Sequence, residues 1–179
     1  MMLNANDTAL IVIDIQGKLA QLMYAKEQLF ENVARLIKGA EVLELPIICT
    51  EQNPAGIGPT AEEIAPLIKP EPIAKMSFSC CGEKHFAEAI ERLGRTQLLL
   101  CGIETHICVY QTAADLIRSG REVHVVADAV SSRTEANRRI GLTRMRDAGA
   151  KLTSVESALF ELLRVAEGDK FKQILQIVK

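Results

Sequence analysis

Three polar side chains of different chemistry stand out against the apolar segments of this chain. Asp14 lies near the end of one β-branched run, Lys75 ends a short run, and Cys108 follows another run across a tight turn and opens a helix. A thiol attacks as its thiolate, and a helix N-terminus and a nearby lysine both favour that negative charge and lower the thiol pKa. A carboxylate can accept the thiol proton and later deliver it to a leaving group, or activate water. These residue types suit nucleophilic catalysis by Cys108 with Asp14 as the base, but a lone cysteine near a helix start is more often a small buried hydrophobe, so no single residue decides between the two.

The elements that must position these residues alternate along the chain. The apolar runs predict strands at residues 9–15, 47–49, 72–75, 97–102, 122–127 and 151–154. Helical spacing and end signals predict helices at residues 27–44, 83–93, 106–119 and 134–149, with a helical segment after residue 154. Such alternation is typical of right-handed crossovers and of a parallel sheet covered on both faces. We therefore predict an α/β fold: one three-layer α/β/α domain, residues 1–179, with a six-stranded parallel sheet.

Parallel sheets bind ligands at the carboxyl ends of their strands, at the point where the strand order reverses. In the order 3-2-1-4-5-6, strands one and four are neighbours at that point, so Asp14 and Cys108 would face one crevice. Lys75 would reach that crevice from the side. The backbone N–H groups of the turn 102–105 and of Cys108 would point towards the same place, where they are suited to an oxyanion hole. Gly102 is expected to permit a close backbone approach in that turn.

Composition excludes several other classes of function. The chain is 48% hydrophobic and has a net charge of -2, which argues against electrostatic binding to nucleic acid or to anionic membranes. It has no Trp and only 4% aromatic residues, which argues against stacking on bases. The first eight residues are polar, so we expect no signal peptide, and the longest apolar runs are too short to span a bilayer. We predict a cytoplasmic protein whose five cysteines are free thiols, with a small-molecule substrate and neither nucleic-acid nor membrane partners.

The motifs resemble those of the isochorismatase-like hydrolase superfamily, in particular its isochorismatase domain-containing proteins. The resemblance covers about residues 7–178, and its specific part combines Asp14, Lys75 and the turn from Gly102 to Cys108. Five segments carry it: residues 11–16, 50–60, 74–78, 100–113 and 123–133.

The resemblance implies a catalytic triad of Asp14, Lys75 and Cys108. It also implies a cis peptide bond between Ile103 and Glu104, with an oxyanion hole formed by the backbone N–H groups of Glu104 and Cys108. By analogy, the Cys108 thiolate attacks an amide-like carbon, a thioester forms as ammonia or an amine leaves, and water hydrolyses the thioester. Because the family usually forms oligomers, a homo-oligomer is expected.

Two departures from the family pattern narrow the range of possible substrates. Nicotinamidases of the superfamily hold a metal with an Asp and paired His after strand two, but residues 51–59 contain no His and the three histidines lie elsewhere. We therefore expect no metal and no cofactor, and nicotinamide is disfavoured. True isochorismatases lack the cysteine, so the presence of Cys108 also disfavours isochorismate. The sequence predicts a metal-independent cysteine hydrolase of a small amide-like compound.

Four further side chains are expected to line the substrate pocket by their positions. They are Gln16, Gln52, Phe78 and His106. The adjacent pair Cys80 and Cys81 lacks the ligand spacing of a zinc site and is interpreted as part of a pocket-lining loop.

We considered three alternatives to the hydrolase hypothesis. A catalytically idle member of the fold, acting as an interaction or scaffold protein, would still carry a reactive Cys108. A thiol redox protein needs a resolving cysteine near Cys108, and Cys101 on the preceding strand is expected to point elsewhere. A nucleotide-binding Rossmann protein is set aside, because no Gly-x-Gly-x-x-Gly motif follows strand one.

Overall fold

The computed structural model describes residues 1–179 and contains one sheet with helices on both faces. Its strands are β1 Thr8–Ile13, β2 Ile47–Gln52, β3 Ile73–Lys75, β4 Gln97–Ile103, β5 Glu122–Ser131 and β6 Lys151–Thr153. Its α-helices are α1 Gly17–Gln21, α2 Lys26–Val42, α3 Pro54–Ile57, α4 Lys84–Leu93, α5 Tyr110–Arg118, α6 Glu135–Asp147, α7 Val155–Leu163 and α8 Gly168–Val178. None of the helices is both long enough and apolar enough to cross a membrane.

The sheet has the order β3-β2-β1-β4-β5-β6, and every neighbouring pair of strands is parallel. This confirms the predicted α/β fold and its strand order. Alternate residues of β1 face opposite sides: Leu10 and Val12 pack with α2, α7 and α8, whereas Ile11 and Ile13 pack with α4, α5 and α6. Because β1 is buried along its whole length, it reads as a continuous apolar run in the sequence.

The strands nearest the predicted site differ from the sequence prediction at their carboxyl ends. β1 ends at Ile13 and not at residue 15, because Asp14 adopts a left-handed backbone conformation with φ 54°. This conformation is uncommon outside glycine, although aspartate tolerates it better than most residues, and it ends the extended strand. β5 extends to Ser131, beyond the predicted 127, because its register against β4 shifts between Leu100 and Gly102.

Gly102 brings the end of β4 against the end of β1. Its φ is 119°, and a Cβ at this position would lie 2.0 Å from the carbonyl oxygen of Ile13. No side chain fits that space, so the expected close backbone approach is confirmed. The consequence is that the residues following Ile13 and Ile103 emerge side by side at one edge of the sheet.

Candidate active site

A buried ion pair between Asp14 and Lys75 lies at the edge of the sheet where β1 and β4 end. Oδ2 of Asp14 is 2.7 Å from Nζ of Lys75, and the two side chains are 4% and 0% exposed. The ammonium also donates to Oε1 of Gln52 at 2.7 Å and to the carbonyl oxygens of Ser77 at 3.0 Å and Phe78 at 3.1 Å. A buried lysine is tolerated only when its charge is paired and its protons are bound, and both conditions hold here.

Thr50 holds the other oxygen of the Asp14 carboxylate. Its hydroxyl donates to Oδ1 at 2.8 Å, and its carbonyl accepts from the Asp14 backbone N–H at 3.1 Å. Oδ2 is buried and has no well-aligned hydrogen-bond donor, although the ammonium lies beside it. One carboxylate oxygen is therefore fixed in place while the other keeps a lone pair for a further proton.

Cys108 lies on a π-helical turn, Thr105–Val109, that leads into α5, and its side chain is almost completely buried. Burial raises the pKa of the Cys108 thiol from 9.0 to about 12, and the Asp14 carboxylate raises that pKa as well, while Lys75 lowers it. The expectation of a lowered pKa is therefore wrong, because loss of hydration outweighs the nearby cation. At neutral pH the resting residue is a thiol that faces a carboxylate able to accept its proton.

The turn between β4 and Cys108 contains a backbone N–H group that has no acceptor within the protein. The peptide bond between Ile103 and Glu104 is cis. The backbone N–H of Glu104 donates to no acceptor within the protein, and the Glu104 carboxylate is held through Oε1 by Arg133, whose Nε lies 3.1 Å away. An unused N–H beside a nucleophile is suited to stabilising an oxyanion.

A small cavity of about 90 Å³ opens beside Cys108 and Asp14. Of the four predicted pocket residues, Gln16, Gln52 and Phe78 line it. The fourth, His106, is not part of its wall, and its Nδ1 instead lies 3.0 Å from the hydroxyl of Ser132. The structure therefore brings the predicted triad and three of the four pocket residues together, and leaves the imidazole outside.

The two glutamines are occupied by the protein itself. Nε2 of Gln16 donates to the carbonyls of Gln52 at 3.1 Å and Gly58 at 2.7 Å, and its Oε1 accepts from the backbone N–H of Gln52 at 2.6 Å. Gln52 in turn accepts from Lys75 and donates to the carbonyl of Met76 at 2.9 Å. These amides hold the loop after β2 and the lysine in place.

Sequence reasoning missed two contributors to this site. Thr50 was recognisable as a polar residue at the carboxyl end of a strand, the same signal that identifies Asp14. The pairing of Arg133 with Glu104 joins residues 29 positions apart and had no local signal. The interpretation of Cys80 and Cys81 as part of a pocket-lining loop is wrong, because neither lines the cavity and the Cys80 sulfur lies in the core, 3.6 Å from the Thr50 hydroxyl.

Gly141 on α6 packs closely against the backbone of the turn that leads to Cys108. A Cβ at Gly141 would lie 2.7 Å from both the carbonyl carbon and oxygen of Thr105 and 2.8 Å from the backbone nitrogen of His106. We expect Gly141→Ala to displace this turn, to lower the free energy of unfolding by about 1–3 kcal/mol and to reduce catalytic turnover. Chemical denaturation and the rate of substrate hydrolysis measure the two effects.

Thr143→Ala provides the control for Gly141→Ala, because Thr143 lies on the same helix and is exposed. We expect the control to keep wild-type activity and stability to within about 0.5 kcal/mol. If Gly141→Ala retained wild-type stability and activity, close packing of Gly141 would not be what positions the turn.

A further prediction concerns the influence of Lys75 on the thiol. Because Lys75 lowers the pKa of Cys108 and its loss removes that effect, we expect Lys75→Met to slow alkylation of Cys108 by iodoacetamide at every pH from 7 to 9. Cys81 serves as an internal reference, since Lys75 is not among the causes of its own pKa shift. Peptide mass mapping gives the alkylation rates of Cys108 and Cys81. An unchanged ratio of these two rates in Lys75→Met would show that Lys75 does not lower the pKa of Cys108.

The fold and this cluster define a doubly wound α/β protein with a candidate enzyme site at the carboxyl edge of its sheet. The family model for the isochorismatase domain matches residues 8–157. The chain belongs to the isochorismatase domain family, which confirms the resemblance found in the sequence and supports a hydrolase fold of this type.

Individual relatives agree with this assignment over nearly the whole chain. Mouse isochorismatase domain-containing protein 2A is 42% identical, and the alignment covers 95% of this chain and 82% of the relative. The structure of MAR1 ribonuclease from Caenorhabditis elegans has a TM-score of 0.92 and 34% identity, covering 99% of this chain and 92% of that one. The YcaC gene product of Escherichia coli, described as an octameric hydrolase of unknown specificity, has a TM-score of 0.93 and 28% identity, with 99% and 89% covered.

Proposed function

We propose that the protein is a metal-independent cysteine hydrolase of small amides that works through Asp14, Lys75 and Cys108. The observation that carries the proposal is the position of the Asp14 carboxylate, which lies between a buried ammonium and a buried thiol beside a cavity. A raised thiol pKa makes a separate base necessary, and Asp14 is the group able to act as that base. The proposed domain spans residues 1–179 and needs no cofactor.

In the first half of the reaction, the Cys108 sulfur bonds to the carbonyl carbon of the amide while its proton passes to Asp14. The negative charge on the substrate oxygen is stabilised by the backbone N–H groups of Glu104 and Cys108. The C–N bond then breaks, and the nitrogen leaves as ammonia or an amine with the proton held by Asp14.

In the second half, Asp14 accepts a proton from a water molecule, which attacks the thioester carbon. The C–S bond then breaks, the sulfur takes the proton back from Asp14, and the products are a carboxylic acid and the regenerated thiol. Lys75 holds the Asp14 carboxylate in place between these steps through the ion pair of 2.7 Å.

Release of ammonia from a panel of small amides, measured with and without a chelator such as EDTA, tests this proposal. We expect hydrolysis of at least one amide, with the same rate when the chelator is present. Loss of activity with EDTA and its return with a metal ion would contradict the metal-independent mechanism.

Two other functions are distinguished by the same assay. A catalytically idle scaffold protein would release no ammonia from any amide even though Cys108 reacts with iodoacetamide. Ribonuclease activity, which the name of one relative suggests for that relative, is not favoured here, because the cavity lining contains no lysine or arginine that could bind a phosphate backbone. We expect no cleavage of RNA by the purified protein.

We further propose a homo-oligomer and a cytoplasmic location. Exposed apolar side chains suited to a subunit contact lie in the segments near the cavity, namely Leu22, Tyr24, Met76 and Phe78. The octameric state described for the Escherichia coli relative is consistent with this proposal. Light scattering coupled to size-exclusion chromatography measures the number of subunits.

A further inference from the structure

The charges around the candidate site are distributed unevenly. The 10 residues that line the cavity include two carboxylates, Asp14 and Glu104, and no lysine, arginine or histidine. The two cations closest to these carboxylates are already bound. Lys75 is buried behind Asp14 and donates to three neutral oxygens, and Arg133 binds Glu104 from the solvent side with its own side chain 55% exposed.

The rest of the cavity wall offers little to a polar substrate group. Its apolar part comes from five side chains: Leu19, Ile57, Phe78, Ile103 and Ile107. Both amide N–H groups of Gln16 bind backbone carbonyls. Gln52 accepts from Lys75 and donates one of its two amide N–H groups to the carbonyl of Met76. A substrate group away from the reacting carbonyl therefore meets mainly hydrocarbon.

The size of the cavity sets a further limit. At about 90 Å³ it is well below the ~300–1,000 Å³ that is usual for sites binding drug-sized ligands. Only a short acyl chain fits beside Cys108. An anionic substrate would also have to lose its hydration next to two carboxylates, without a cation in the wall to compensate.

From these observations we infer that the site takes uncharged amides with a short aliphatic acyl group and excludes substrates that carry a carboxylate or phosphate. This inference rests on the proposed amide hydrolysis for the reaction itself, but the exclusion of anions is a property of the cavity alone. By the same argument, the carboxylate product of hydrolysis finds no cation in the cavity wall to retain it.

The exclusion of anions is testable without any turnover. Iodoacetamide and iodoacetate are nearly identical in size and form the same kind of carbon–sulfur bond with loss of iodide, but only iodoacetate is charged. We expect iodoacetate to alkylate Cys108 more slowly than iodoacetamide by about tenfold or more, after each rate is divided by that for 2-mercaptoethanol, a thiol without a carboxylate. Equal normalised rates would overturn the inference.

A variant that adds a cation to the wall should reverse this preference. Ile57 lies at the end of α3 and is half-buried, so the ammonium of Ile57→Lys can reach both the cavity and solvent. We expect Ile57→Lys to raise the rate of Cys108 with iodoacetate relative to iodoacetamide. The size control, Ile57→Met, should keep the wild-type ratio, and the same ratio in both variants would count against charge as the cause.

Hydrolysis completes the test with a matched pair of substrates. Succinamide and succinamate differ in a single terminal group, an amide or a carboxylate. We expect kcat/KM to be higher for succinamide by about tenfold or more, and butyramide to be hydrolysed faster than octanamide. Preference for succinamate or for the long chain would overturn the inference while leaving amide hydrolysis in place. Anion exclusion at Cys108 without hydrolysis of any amide would support the inference and contradict the proposed function.

Discussion

Cys108→Ala is expected to reduce amide hydrolysis by about 10³-fold or more, because no other group near the cavity can form the thioester. The other thiol close to Asp14, Cys80, lies in the core and does not line the cavity. The measurement is kcat/KM for ammonia release, compared with the wild-type protein under the same conditions. Hydrolysis by the variant at the wild-type rate would exclude Cys108 as the nucleophile.

The fold of Cys108→Ala should remain intact, because alanine removes only one buried sulfur atom. Cys80→Ala is the matched control, since it also removes a buried sulfur from the same side of the sheet but leaves the proposed nucleophile. We expect both variants to unfold cooperatively with a similar loss of stability and only Cys108→Ala to be inactive. Equal inactivation by both changes would indicate that disturbed packing, and not lost chemistry, is responsible.

Asp14→Asn is expected to have the second large effect, on both activity and stability. The change removes the base and leaves the Lys75 ammonium buried without its counter-charge. Breaking a buried ion pair by removing one partner costs about 3–5 kcal/mol. Asparagine tolerates the left-handed backbone at this position, so the loss in free energy of unfolding reports on the ion pair and not on the backbone.

The double variant Asp14→Asn with Lys75→Met separates the two effects. Methionine fills much of the space of the lysine stem without the charge, so we expect the double variant to regain part of the stability lost in Asp14→Asn while remaining inactive. Urea denaturation of the wild type, both single variants and the double variant gives the coupling energy of the pair. A double variant less stable than either single variant would show that the buried charges are not coupled in this way.

The parallel α/β architecture could be predicted from the sequence because strong local patterns agreed with general rules of topology. The apolar run of β1 and the alternation of strands with helices both indicated a parallel sheet, and the predicted strand order is the one usual for doubly wound folds. The positions of Asp14, Lys75 and Cys108 at the ends of their strands then placed them at one edge of the sheet. Parallel strands bring their carboxyl ends together whatever the residues between them.

The electrostatic state of the site could not be predicted in the same way. The sequence shows that Lys75 is near Cys108 in the fold, but not how deeply the thiol is buried, and burial determines the direction of its pKa shift. The pairing of Glu104 with Arg133 and the position of His106 outside the cavity depend on how the segment after β5 packs against the turn. These contacts join distant parts of the chain and have no periodic signal.

The most direct test of the central claim is the mass of the protein during turnover of an activated ester such as p-nitrophenyl butyrate. Such an ester acylates a nucleophile quickly, so hydrolysis of the thioester becomes the rate-limiting step and the intermediate accumulates. Acid quenching followed by intact-mass and peptide analysis should show one butyryl group on Cys108, and none on that peptide in Cys108→Ala. Steady turnover with Cys108 unmodified, or with the acyl group on another residue, would contradict the account.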